Sequence, residues 1–226
     1  MPSYVFVWEN NTFGHQKVSG HTWPGHSSIN IGKEFWYSGD GATQMNYVSW
    51  WPDEGASFGV LGALFGKNQK GGYTLCLMDD VENEGYLPDH VIELQTTTKQ
   101  EAQMMAEWKS VWNKKGGASY KTLRKNCSTI CSRVLHAGGF YAKKWAVNNN
   151  FVWSPADIRA LAVASGGTML PWTSFLRVLA PSFIKSENFK DDEGKIINYA
   201  RSGRYCSTGV QCKYQSDETW QPSKKG

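Results

Sequence analysis

Long hydrophobic runs are missing from this chain. No apolar stretch approaches the ~20 residues of a membrane-spanning helix, so no transmembrane segment is expected. The opening MPSYVFVWENN lacks the basic-then-apolar order of a Sec-type leader, and YVFVW reads as a strand instead. Charge is sparse, at 19% charged residues and a net +4. Lysines come in pairs (Lys114-Lys115, Lys143-Lys144, Lys224-Lys225) without a basic stripe alternating with stacking aromatics, which argues against nucleic-acid binding. Cysteines number five, Cys76, Cys127, Cys131, Cys206 and Cys212, so a full disulfide framework would leave a thiol over. Neither a tight C-x-x-C knuckle nor an internal repeat is present.

What remains is 226 residues, 40% hydrophobic, enough to bury one core. The aromatic share is high, with 11 Trp that serve core packing or an aromatic groove. Strands come first and helices follow, which is the order of an α+β domain. Residues 1–184 are expected to form it, and the polar, turn-rich 185–226 to extend it.

HSSINIG places Ile29 and Ile31 on one face of a strand and His26, Ser28 and Asn30 on the other. A turn at Gly32-Lys33 returns EFWYSG as a second arm, which sets Gly39 or Asp40 opposite His26 and Ser38 on the diagonal. ATQMNYVSWWP reads as a further strand stopped by Pro52, and 53–72 as a Gly-rich excursion. YTLCLM reads as a strand, DDVENEGYLPD as an acidic loop and HVIEL as a strand. Thr98 is the expected cap of a helix to about Asn113, with Glu101 in the box and Met104, Met105, Trp108, Val111 and Trp112 on its apolar face. Ser154-Pro155-Ala156-Asp157 starts another helix that stops at Gly166-Gly167, and 168–184 carries an amphipathic stretch broken by Pro171 and Pro181.

The chain is organised around Tyr120–Gly139. Ile130, Val134 and Leu135 mark one helix face, and Gly138-Gly139 supply the stop. Cys127 falls at the first turn, where unpaired N–H groups and the helix dipole favour a thiolate and offer an oxyanion hole. A nucleophilic cysteine needs an imidazole. Of the five histidines, His26 sits at the mouth of a patterned strand, and His90, opening HVIEL, is the substitute. His15 and His21 lie in the preceding loop as candidate site-lining groups. His136 shares the helix of Cys127 but lies more than two turns on, beyond hydrogen-bond reach.

A strand-borne His in GHSSINIG followed much later by YKTLRKNCSTICSRVL resembles the permuted papain-like hydrolases. That group takes in the PPPDE peptidases, the lecithin:retinol acyltransferase-like enzymes and circularly permuted NlpC/P60-like amidases. The likeness covers roughly 20–140 and rests on His26, Asn126-Cys127 and Tyr120. It implies an antiparallel sheet packed against helices, with Cys127 as nucleophile, His26 as base and a polar third residue on the next strand. The hairpin register offers Asp40 for that third role; the group's usual His is absent there. Asn126, Ser128, His21 and Ser38 are the expected site-lining residues, and no cofactor is implied.

The function expected is a cysteine peptidase or amidase cleaving an amide bond in peptidoglycan or a target protein. By analogy with secreted bacterial toxins such as type VI cargo, an immunity protein would be its partner and the target cell its place of action. An acyltransferase or lipase is the alternative. The rivals are a structural zinc on Cys127, Cys131, His136 and Cys206/Cys212, and a non-catalytic binding module. Cys206 and Cys212 bracket CSTGVQC as either a disulfide or two thiols.

Overall fold

The computed structural model describes residues 2–9, 25–32, 46–52, 69–74, 77–84, 88–113, 119–121 and 124–171. Strands β1 (Pro2–Glu9), β2 (Gly25–Asn30), β3 (Tyr47–Val48), β4 (Trp51–Pro52) and β5 (Gln69–Gly72) come first. Helix α1 (Leu77–Glu84), strand β6 (His90–Gln95) and helix α2 (Thr98–Trp112) follow. Then come β7 (Ser119–Tyr120), α3 (Cys127–Ala137), α4 (Trp145–Asn148), α5 (Pro155–Ala164) and β8 (Thr168–Leu170). The architecture is α+β, an antiparallel sheet of order β3-β2-β1-β6-β8 packed against helices, with a smaller sheet β4-β5-β7 beside it.

β1 lies in the middle of the large sheet, so it is apolar on both faces rather than alternating. Val5 and Val7 join Ile29, Val48, Ile92 and Leu94 in the main core against the helices. From that side Met104, Trp108 and Val111 of α2, Ile130, Val134 and Leu135 of α3, and Ile158 and Leu161 of α5 close on them. The other face carries the buried Tyr4, Phe6 and Trp8, with Trp8 registered opposite His26 and Phe6 opposite Ser28.

Helix ends fall where the capping chemistry puts them. Asn126 caps α3 by accepting from the Thr129 N–H at 2.7 Å, and Gly139 follows at φ +80°. Ser154 and Asp157 form a reciprocal capping box on α5, with Pro155 in its first turn. On α2 the box is shifted by one residue from expectation. Thr97 is the cap and Gln100 its partner, while Glu101 accepts from Thr96 instead.

Three expectations are corrected. The edge of β2 away from β1 is taken by β3, with Ile29 opposite Val48 and Asn30 opposite Tyr47. The returning arm expected at 34–39 lies outside the described residues. The alternation of NYVSW matches that of β2, sending Val48 and Trp50 into the core and Tyr47 and Ser49 to the other face. Second, DDVENE is helical rather than a loop, and Met78 lies in helix α1 rather than in a YTLCLM strand. Among the described side chains of α1, Leu77, Asp80 and Glu84 are buried, and two carboxylates at such positions hide the helical period from a hydrophobicity reading. Third, Thr168–Leu170 forms an edge strand on β6 where an amphipathic stretch was expected. The rest of that stretch and the extension 185–226 lie outside the described residues.

Candidate active site

β2 reaches the site with its polar face fully buried. His26 is 2% exposed, with its ring stacked on Trp51 at 4.2 Å between centroids and tilted against Trp8 at 5.4 Å. Its Nε2 lies 3.1 Å from Asp80 Oδ2 and 3.1 Å from Ser49 Oγ. The imidazole is also coupled electrostatically to the neighbouring Cys127 thiol.

Asp80 accepts hydrogen bonds from five surrounding side chains. Oδ2 accepts from His26 and from the Tyr47 hydroxyl at 2.6 Å. Oδ1 accepts from Ser49 at 2.8 Å, Trp51 Nε1 at 2.8 Å and Thr74 at 2.7 Å. Burial alone pushes this carboxyl up, but His26 and the Tyr47 and Thr74 hydroxyls outweigh it and hold the carboxylate below its usual range. Ser28 extends the network by pairing with Tyr47 at 2.8 Å. A buried network this fully satisfied fixes its members in one arrangement.

Cys127 opens α3, 6% exposed. Small side chains let that first turn come close to β2. Ser27 Oγ pairs with Ser128 Oγ at 3.0 Å, and the Cys131 thiol donates to the Ser27 carbonyl at 3.3 Å. Burial raises the Cys127 thiol, but His26 and hydrogen bonds from Ser27 and Ser128 lower it further, and the net direction is down. For His26 burial pushes down, while Asp80 and then Cys127 pull up, to well above the ordinary value. The two directions favour the charged form of each group, with the Asp80 carboxylate behind the imidazole. Cys131 goes the other way, because burial and the neighbouring Cys127 charge keep it a thiol.

Two further groups stand near. Tyr120 of β7 is buried, and burial and then the Cys127 charge raise its hydroxyl. Glu84, one turn after Asp80 on α1, has a buried Oε1 with no hydrogen-bond partner. Burial pushes its carboxyl up to about 7, against the pull of His26 and with the help of Asp80 and Asp89.

Of the residues expected at the site, the fold brings Cys127 and His26 into electrostatic contact, with Asn126 and Ser128 on either side of Cys127 in the first turn of α3. Asn126 additionally donates to the Trp153 carbonyl at 2.9 Å, tying the first turn of α3 to the segment before α5. Asp40, Ser38, His21 and His15 lie outside the described residues; the carboxylate that reaches His26 is Asp80. His90 stands 3.7 Å from Glu9 instead. Of the zinc rival, Cys206 and Cys212 lie outside the described residues, and among the described residues no cluster of three or more His, Cys, Asp or Glu has metal-holding geometry. His136 stacks on Tyr141 at 4.7 Å. Asp80 and Glu84 were missed, and the signal available was acids four apart on one helix face, with Leu77 three residues before.

Residues 66–164 match the model of the IcsB middle domain family. The match spans the segment from β5 through α5, with Asp80 and Cys127 inside it and His26 before it. No curated protein and no solved structure matches the chain.

Proposed function

We propose that the chain is a cysteine-dependent acyl-transferring enzyme of permuted papain-like fold, acting first as an amidase or peptidase. The observation that carries this reading is the convergence of Cys127, His26 and Asp80 from α3, β2 and α1. The Cys127 thiolate attacks the carbonyl carbon of an amide, forming a C–S bond. The His26 imidazolium passes its proton to the leaving amine as the C–N bond breaks. The freed N–H groups of the α3 first turn, that of Cys127 foremost, hold the oxyanion. Water, losing a proton to His26, then attacks the acyl carbon; the C–S bond breaks, the carboxylic acid leaves and the thiolate and imidazolium are restored. Asp80 keeps the imidazole oriented and stabilises its charged form.

The burial of Cys127, and of His26 between Trp8 and Trp51, favours a second reading, in which the acyl group passes to an amine or hydroxyl acceptor and not to water. The match to the IcsB middle domain supports a role as a secreted bacterial effector. Among the described residues no helix is long and apolar enough to cross a membrane.

The test is mass spectrometry of the intact chain after incubation with activated acyl esters and thioesters. An acyl adduct on Cys127, absent in Cys127→Ala, is the expected result, and its release by water or by an added amine separates hydrolase from transferase. Unchanged ester turnover in Cys127→Ala would overturn both.

A further inference from the structure

The segment from Tyr141 to Val152 holds large apolar side chains out in solvent. Tyr141 is 58% exposed, Trp145 76%, Phe151 79% and Val152 39%. The backbone beneath them is pinned. Asn148 bonds both the N–H and the carbonyl of Ala142 at 2.7 Å, and Asn149 donates to the Trp145 carbonyl at 3.0 Å. Tyr141 is stacked on His136, and His136 packs edge-on against Trp153 at 5.9 Å. A fixed display of this kind marks an interaction surface.

Charge says which kind. Between Glu107 and Asp157 the sequence has nine Lys or Arg and no acidic residue. Lys121, Arg124, Lys143 and Lys144 from this stretch are exposed, and Arg124 lies over the Phe151 ring at 5.2 Å. Aromatic rings that carry a polar edge or a cation beside them seat at the level of lipid headgroups. Basic residues around such rings are attracted to the anionic leaflet. The surface also adjoins the nucleophile, since Asn126, the cap before Cys127, bonds the carbonyl of Trp153.

We propose that Tyr141, Trp145, Phe151 and Val152, with Arg124, Lys143 and Lys144, form a docking surface for an anionic membrane, next to the entrance turn of α3. The proposal does not depend on Cys127 being a nucleophile, so it is tested with the full chain as Cys127→Ala. Co-sedimentation is measured with phosphatidylcholine vesicles and with vesicles containing about 30% phosphatidylserine. The expected result is retention by the phosphatidylserine vesicles alone, falling about tenfold or more in Trp145→Ser/Phe151→Ser and in Lys143→Glu/Lys144→Glu, and falling with added salt. These side chains are exposed, so unchanged far-UV circular dichroism and melting temperature serve as the folding control. Absence of binding to the anionic vesicles, or binding untouched by both double substitutions, would overturn the proposal. So would a single-stranded oligonucleotide that binds through the same residues while vesicles do not.

Discussion

At the scale of single residues, the site divides its titratable groups into two sorts. His26 is moved toward its charged form by Asp80 and Cys127, and each of those two is moved toward its ionised form by His26. Alkylation of Cys127 by iodoacetamide is therefore expected to stay nearly level from about pH 8 down to about pH 6. In His26→Ala it should fall about tenfold per pH unit below the ordinary thiol range of about 8.5. A wild-type rate that falls in the same way would remove the ion pair. Replacing Asp80 by Asn keeps the shape and removes the charge, and acyl-enzyme formation should drop by roughly 10²–10⁴.

Glu84 is the opposite sort, a carboxyl forced toward neutrality. Its folded pKa, about 7, lies above its ordinary 4.5. Below 4.5 it is protonated both folded and unfolded and costs nothing; as pH rises toward 7 the unfolded chain ionises first and the fold loses stability. Glu84→Gln should thus leave the melting temperature unchanged near pH 4 and raise it above pH 7, by at most about 3 kcal/mol in stability. A substitution equally neutral at both pH values would show that Glu84 is not held neutral.

At the scale of elements, what positions the sulfur is the seam between α3 and β2. It is made of Ser27, Ser128 and Cys131, side chains small enough for a helix turn to lie close on a strand, each with a hydrogen-bond partner. Ser27→Val removes the Ser128 partner and adds bulk. It is expected to lower stability by about 1–3 kcal/mol and acylation of Cys127 by more than that loss of folded protein explains, read by comparing activity with the melting curve. Asn126→Ala, which frees the Thr129 N–H and the Trp153 carbonyl, should lower stability by roughly 0.5–2 kcal/mol.

The element scale is also where legibility in the sequence divides. The starts of α3 and α5 were readable because Asn126 and Ser154-Pro155 act within their own helix turn. α2 was readable to within one residue, Thr97 and Thr98 being chemically alike as caps. α1 was not, because its buried stripe carries Asp80 and Glu84 where a periodicity reading looks for leucines. The partner of β2 was not readable either. Nothing in 26–31 distinguishes 34–39 from 47–50 as its neighbour, and the choice is made by Val48 and Trp50 fitting the core. The carboxylate beside His26 went unread with it, because the helix carrying Asp80 was not seen; Asp40 lies outside the described residues.

At the scale of the molecule, Cys127, His26 and Asp80 come from three separate stretches held together by a sheet whose centre is β1. Nothing local holds them. α3 and α1 each touch β2 directly, and β2 is anchored in the large sheet and the core beneath it, so loosening that core should lower the share of chains in which the three residues meet. Ile130→Ala, in the core cluster under α3, should cost about 2–5 kcal/mol of stability and shift the urea midpoint accordingly, with the acylation rate per folded molecule little changed. A rate that fell while the midpoint held would place Ile130 in the chemistry instead.

The small polar seam under α3 gives the sulfur a further use, as a gauge of its own assembly. In an extended or unfolded chain Cys127 is an ordinary thiol, dormant at mildly acid pH. Under the proposed function it becomes reactive there only once β2, α1 and α3 have closed around it. Labelling with an alkylating reagent at about pH 6 during refolding would therefore time the moment the machinery is armed. A chain threaded through a narrow conduit in extended form would carry its chemistry switched off until it refolded on the far side.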